Sequence, residues 1–329
     1  MSNSRLVLHS ILKRVENEHF RYARRSGARL ERTEIEIPSG ALLALPKNET
    51  ALLNQLRRDF CRFMAQCMRV RLKVAPRGRP GMRIELRLSN SEATKPKDDS
   101  FSIQVDLQEV IIDAHHERGL LQGIHYLERK MALRGAPFLP RGQFHRQRRF
   151  DPYISYPFHA DSDANLSLMS HFGVNGILHH ARTWDYCRNT ALPELNVTES
   201  EYRKRIRRLR DLCRRCAVFG IDVYLHVEYF GGFERPHPVF TKHSGVRGAE
   251  FFYSVNSNAF QLCSSNRLVL RHYSEMFGSL FREVPELAGL NLIVGGEGLL
   301  HCFSRPKPPY RGGTNCPHCA GKTPSVIVA

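Results

Sequence analysis

No apolar run in this chain of 329 residues approaches the roughly 20 residues that a bilayer-spanning helix needs, so a membrane partner is not expected. A secretory leader is missing as well. The first residues hold only a short apolar patch broken by His9, Lys13 and Arg14, with no apolar core or small-residue cleavage site, and a cytoplasmic location is the expectation. No glycine-rich phosphate fingerprint follows any apolar run, which argues against a nucleotide cofactor. There is a single tryptophan. No zinc-finger or helix-turn-helix pattern is present, and no aromatic array suited to stacking bases. Acidic residues are scarce, 32 against 49 lysines and arginines, for a net charge of +17.

That charge invites a nucleic-acid reading, but its distribution opposes one. The basic residues concentrate locally at 21–29, 141–149 and 203–215. In the last stretch Ile206, Leu209, Leu212, Cys213 and Cys216 recur at helical spacing. This predicts an amphipathic helix with an arginine-rich outer face. Specific nucleic-acid binding is not expected; weak, salt-dependent adhesion to polyanions remains an alternative. Of nine cysteines, Cys61, Cys67, Cys213 and Cys216 fall on apolar helix faces and read as buried, reduced thiols.

Hydrophobic periodicity divides the chain into three parts: a basic helix over 1–30, an α/β domain over 31–148, and a run of alternating strands and helices over 149–329. Within the α/β domain, alternation at Glu34–Ile37 predicts a strand. Leu52, Leu53, Leu56, Phe60, Phe63 and Met64 predict a helix over 49–70, with Asn48 as its cap. Strands are expected at 70–74 and 82–88. Phe101, Ile103 and Val105 alternate, Val110–Ile112 forms a further strand, and Leu120, Leu121, Ile124, Leu127 and Met131 predict a second helix.

This strand–strand–helix run, with Gly119 and Gly123 at the start of a leucine-rich helix, resembles the accessory amino-terminal domain of β-N-acetylhexosaminidases and α-glucuronidases. In those families the domain flanks a catalytic barrel and carries no catalytic residue.

From Asp151 onward, strands are predicted at 152–158, 174–180, 221–228 and 290–295, with helices at 164–172, in the arginine-rich stretch, and at 266–284. Such an order implies a parallel sheet, and a β/α barrel fits it best. The expected fold is therefore α/β: a small hexosaminidase-like accessory domain followed by an incomplete TIM-type barrel. A whole barrel takes about 250 residues, and the four strands counted here imply a truncated chain or a half-site completed by another segment.

In a barrel the carboxyl ends of the strands line the active site. The apolar run Leu290–Val294 passes two glycines and delivers Glu297, a candidate proton donor, although a loop glutamate beyond a strand fits the same spacing. Gly173–Ile177, Phe219–Leu225, Val284–Gly289 and Gly296–Gly298 together resemble the first half of the α-glucuronidase barrel. That resemblance implies Glu297 as general acid. The hexosaminidase match is poorer: their paired Asp-Glu would fall on Glu297 and Gly298, and their aspartate after the strand-two histidine falls on Thr183. Glycosidic cleavage needs a second carboxylate, for which Glu228 at the end of the third strand is the visible candidate, with a structural ion pair as the competing reading.

His180, Arg182, Trp184 and Asp185, after the second barrel strand, and His226 and Tyr229, after the third, are the expected sugar-binding residues. Core packing is the alternative for the aromatic residues, and a hydrogen-bonded structural role the alternative for His179 and His180. Cys302, Cys316 and Cys319 form one cysteine knuckle with an upstream partner. Zinc, a disulfide or free thiols all suit it; otherwise no cofactor is expected. The expected partner is a carbohydrate, and the expected protein a glycoside hydrolase-like enzyme for uronate- or amino-sugar-containing glycans. A non-catalytic carbohydrate-binding protein or a truncated fragment is the alternative.

Overall fold

A computed structural model of the chain describes residues 24–47, 50–75, 80–89, 99–156, 162–180, 183–227, 233–234, 237–250, 259–292, 301–303 and 314–323. The chain divides into two compact units: Met1–Gly176 with Arg215–Ile221, and Ile177–Arg214 with Asp222–Ala329. The segment 149–176 groups with the first unit.

The first unit contains β1 (Glu34–Glu36), β2 (Leu42–Ala44), α1 (Ala51–Gln66), β3 (Lys73–Val74), β4 (Arg83–Leu88), β5 (Phe101–Val105), β6 (Glu109–Ala114), α2 (Glu117–Arg134), β7 (Phe138–Pro140), β8 (Gly142–Arg146), β9 (Ile154–Ser155) and α3 (Asp163–His171). Six strands form a mixed sheet in the order β3-β2-β4-β6-β5-β8. Its centre is parallel, β2 to β4 to β6, and β5 runs antiparallel to both β6 and β8. Ile84, Leu86, Val110 and Ile112 are wholly buried in it. Helices α1 and α2 bury the stripes that their spacing predicts: Leu52 to Met64 in α1, and Leu120, Leu121, Ile124, Leu127 and Met131 in α2. Fully burying one such side chain stabilises the fold by about 1.5–3 kcal/mol.

Local chemistry sets the helix ends. The cap of α1 is Thr50, whose hydroxyl accepts from the Leu53 amide, and not Asn48, which lies outside the described residues. Helix α2 stops at Gly135, whose left-handed conformation (φ 66°) turns its amide back to the carbonyls of Ala132 and Met131, the usual use of glycine at a helix end. The predicted basic helix over 1–30 falls mostly outside the described residues. Its last part is not helical: Gly27 takes a φ of 89°, and the amides of Arg24 and Arg25 donate to the carbonyls of Cys67 and Gly135.

The second unit is organised on β10 (Gly176–His180), α4 (Glu199–Val218), β11 (Asp222–Val227), β12 (Phe233–Glu234), α5 (Pro238–Lys242), β13 (Arg247–Glu250), β14 (Ala259–Leu262), α6 (Arg267–Glu283) and β15 (Gly289–Leu292). In its main sheet β11 lies between β10 and β15. Strands β11 and β15 are parallel, with Tyr224 to Val227 opposite Gly289 to Leu292. This parallel pairing with intervening helices is the arrangement the sequence order predicts, and β15 is the end strand of this sheet among the described residues.

Helix α4 buries Tyr202, Ile206, Leu209, Cys213 and Cys216, while Arg203, Arg207, Arg208, Arg214 and Arg215 stay exposed. Several of its arginines meet carboxylates of the same unit: Arg205 with Asp185, Arg203 with Glu199, and Arg210 and Arg214 with Glu286. Exposed pairs of this kind add little stability each, but they neutralise part of the basic face. Sequence periodicity shows no sign of a second, antiparallel sheet in the order β12-β14-β13. It is inserted between β11 and α6. All four residues of β14 are buried, so the strand lacks the alternation that marks a half-exposed one.

Candidate functional site

The carboxyl ends of β10, β11 and β15 bring together residues that are far apart in sequence. Side chains alternate across a strand, so Tyr224 and His226 share one face of β11, and their register partners Gly289 and Asn291 share that face on β15. The His226 ring lies edge-on to His180, 4.5 Å between centroids. Contact between the last residue of β10 and the penultimate residue of β11 is what two strands running the same way produce. On β11's other side, His226 Nδ1 lies 2.7 Å from Asn291 Oδ1. The amide oxygen accepts, so the ring nitrogen donates and Nδ1 carries a proton. His180, His226 and Asn291 thus form a polar file across three adjacent strands.

His226 is only 2% exposed, whereas His180 and Asn291 are exposed. A buried ring held by a neighbour's amide and presented between two accessible polar side chains is pre-oriented, since its rotamer is set before any ligand arrives. His179 belongs to the opposite face by alternation. Burial, with His180 beside it, lowers its pKa below the usual histidine value, so it is neutral at pH 7. Glycine at 289 gives the Tyr224 ring its place, because a Cβ there would stand 3.2 Å from the ring.

Asp185, expected on the sugar-binding rim, lies in a short 3-10 turn, Thr183–Tyr186. Its carboxylate sits 3.2 Å from Arg205 of α4, and its carbonyl accepts from the same guanidinium at 3.0 Å. The side chain therefore anchors this turn to the helix. Glu297, Glu228, Arg182, Tyr229 and the side chain of Trp184 lie outside the described residues. In sequence, Glu228 follows directly on β11 and Glu297 follows shortly after β15. The sequence singled out His180 and His226 but not Asn291, a lone amide in an otherwise apolar run.

Two further clusters contain metal-ligating side chains. In the first unit, His125, Glu128 and His171 converge. Both nitrogens of His171 are already engaged, Nε2 with Glu128 at 2.8 Å and Nδ1 with the Ser167 carbonyl at 2.7 Å. The His125 ring stacks on it at 3.7 Å. Burial opposes the charge on His171, but Glu128 and the Ser167 carbonyl prevail and raise its pKa. This is an ion pair joining α2 to α3. The other cluster, in the second unit, contains Cys302, Cys316 and Cys319 together with Cys263. Cys263, far upstream of the knuckle, was not identified from sequence. Of the remaining cysteines, Cys67, Cys187, Cys213 and Cys216 are buried and Cys61 half-buried, and none of them is in a disulfide.

No family model matches the chain, and no curated protein does. Solved structures do. The chain is similar to a GH138 enzyme targeting pectin rhamnogalacturonan II, with a TM-score of 0.57 at 12% identity over 76% of this chain and 30% of that one. It is similar to the GH20 β-N-acetylhexosaminidase of Streptomyces coelicolor A3(2), with a TM-score of 0.51 at 15% identity over 84% of this chain and 60% of that one. The N-acetyl-β-hexosaminidase of Streptomyces plicatus, solved in complex with Thio-NAglucal, gives 0.52 at 15% identity over 82% and 57%. The chain spans less than two thirds of the length of each of these structures. At such identities the likeness is one of fold alone: the chain shares a mixed α/β fold with parts of these structures.

Proposed function

We propose that this chain is part of a glycoside hydrolase-like protein that acts on, or binds, carbohydrate at the carboxyl ends of β10, β11 and β15. The observation that carries this reading is the polar file His180–His226–Asn291, with a proton of the His226 ring assigned to Nδ1 by its neighbour. Sugars present rings of hydroxyl groups, each able to donate and accept, and a row of imidazole and amide groups matches them. The fold shared with GH20 and GH138 structures supports a position for this row at the mouth of a barrel-type site.

In this reading Glu297 is the general acid that protonates the leaving glycosidic oxygen. Glu228 is the candidate second carboxylate, as base or nucleophile. His180, His226 and Tyr229 bind the sugar, Trp184 stacks on its ring, and Arg182 pairs with a uronate carboxylate in an α-glucuronidase-like substrate. A non-catalytic carbohydrate-binding role is the second reading, since a row of imidazole and amide groups can bind sugar hydroxyls with no carboxylate among them.

Turnover of aryl glycosides and aryl glucuronides by the purified chain, beside glycan-array binding, separates the two readings. Glu297→Gln should abolish turnover and leave the far-ultraviolet circular dichroism and any glycan binding intact. Loss of one proton-transfer group is worth about 10²–10⁴-fold in rate. Undiminished turnover by that variant removes Glu297 from the mechanism. Binding without turnover by the unsubstituted chain selects the non-catalytic reading, and neither binding nor turnover refutes both.

A further inference from the structure

Four cysteines from three separate stretches of the second unit meet at one point. Cys263 directly follows β14, Cys302 lies beyond β15, and Cys316 and Cys319 bracket a turn in which the Cys319 and Ala320 amides both donate to the Cys316 carbonyl. All four side chains are fully buried, and their sulfurs lie within 4.8 Å of one another. We propose that these four thiolates hold one zinc ion in a closed, tetrahedral structural site.

The spacing is that of ligands around a metal. Four sulfurs at about 2.3 Å from a central zinc stand about 3.8 Å apart along each edge of the tetrahedron. Cys263 Sγ lies 3.7 Å from Cys319 Sγ and 3.7 Å from Cys316 Sγ. A disulfide would bring two sulfurs to about 2.05 Å, and none of the four is in one.

Backbone amides surround the sulfurs as they do around metal-bound thiolates, whose charge is spread by N–H donors in the outer shell. The amides of Ser265 and His318, each two residues beyond a cysteine, donate to Cys263 and Cys316 respectively. Those of Ala249 and Ser264 donate to Cys302. The Ser265 hydroxyl is 3.2 Å from Cys319 Sγ. Strand β13 carries glycine where it crosses the cluster, since a Cβ on Gly248 would come within 2.9 Å of both Cys302 Sγ and the Cys263 nitrogen. Ordinary buried thiols behave as small apolar groups and have no use for donors converging on them from several backbone segments.

The role follows from where the ligands stand in the chain. Cys263 precedes α6 and Cys302 follows β15, so one ion would pin both ends of the segment that supplies β15 to the main sheet. Constraining a long loop in this way removes entropy from the unfolded chain. A four-sulfur shell leaves no open position for substrate, so the ion would be structural and not catalytic. The inference does not depend on the carbohydrate reading, because its readout is metal content and coordination.

The full chain, produced in zinc-supplemented medium and purified without chelator, should contain about one equivalent of zinc, with X-ray absorption showing four sulfur neighbours at about 2.3 Å. An organomercurial that caps the thiols should release that zinc to a chromogenic chelator. Cys263→Ser and Cys302→Ser should each lower the zinc content at least several-fold, while Cys61→Ser, in the other unit, should retain it. Less than about a tenth of an equivalent of zinc after reconstitution, iron in its place, nitrogen or oxygen in the coordination shell, or disulfides among these cysteines by mass spectrometry would overturn the proposal. The wild-type coordination measurement stands even where a variant fails to fold.

Discussion

Alanine at position 119 provides a demanding test of how the first unit is packed. On an isolated helix, Gly→Ala gains about 0.8–1.0 kcal/mol, so propensity alone makes Gly119→Ala and Gly123→Ala stabilising. The packing reverses that sign. A methyl on Gly119 would overlap the Ser100 carbonyl oxygen and stand 2.6 Å from Ala114 Cβ, and one on Gly123 would stand 2.5 Å from Ile112 Cγ2. Backbone cannot yield as a side chain does, so at 119 the start of α2 must lift from the sheet. Overpacking of this kind costs about 1–3 kcal/mol and occasionally more. After the propensity gain is subtracted, Gly119→Ala should lose about 2 kcal/mol and Gly123→Ala about 1 kcal/mol.

The control is Gly278→Ala in α6, where the new methyl would meet only the Arg282 guanidinium, at 3.4 Å. There the propensity gain should survive, up to about 1 kcal/mol. In thermal melts followed by circular dichroism, about 2–4 °C accompanies each kcal/mol for a folding unit of this size. The melting point should fall by about 4–8 °C for Gly119→Ala and rise slightly for Gly278→Ala. A Gly119→Ala protein as stable as the parent would refute the close approach of α2 to the sheet.

Two further predictions concern pH. His171 has a raised pKa in the folded state, so its pairing with Glu128 contributes fully below its unfolded value of about 6.5. That contribution is lost as pH rises through the folded value; urea melts of the parent should weaken above about pH 6.5 relative to Glu128→Gln, and parallel curves would contradict the pairing. Glu275 is held down to about 2 by the Thr190 amide, with Arg271 and Ala191 adding to it. Its contribution is present above the ordinary value of 4.5 and fades as pH falls towards 2. Glu275→Gln should melt lower than the parent at pH 7, with the gap closing in acid; a gap independent of pH would count against it.

Helical stripes were legible in the chain because a helix face is made by neighbours three and four positions apart. The buried faces of α1, α2, α4 and α6 follow the apolar spacing closely. The parallel order of the second unit could be read from the alternation of apolar runs with helical stretches along the chain. Short elements were harder. The two residues of β12 and the uniformly buried β14 carry no period, and Thr50 and Asn48 are equally good caps until the chain direction at the helix start is known.

Local order along the chain was thus decided by residue type and spacing, down to glycine at 135 and the arginine-rich face of α4. Which distant side chains meet was decided only by folding. Nothing in the spacing of Cys263 joins it to Cys302, Cys316 and Cys319, and nothing in the run Leu290–Val294 marks Asn291 as the partner of His226. Those encounters depend on strand register and on the path of an inserted antiparallel sheet, which are collective outcomes of packing many residues at once and leave no period in any one stretch of sequence.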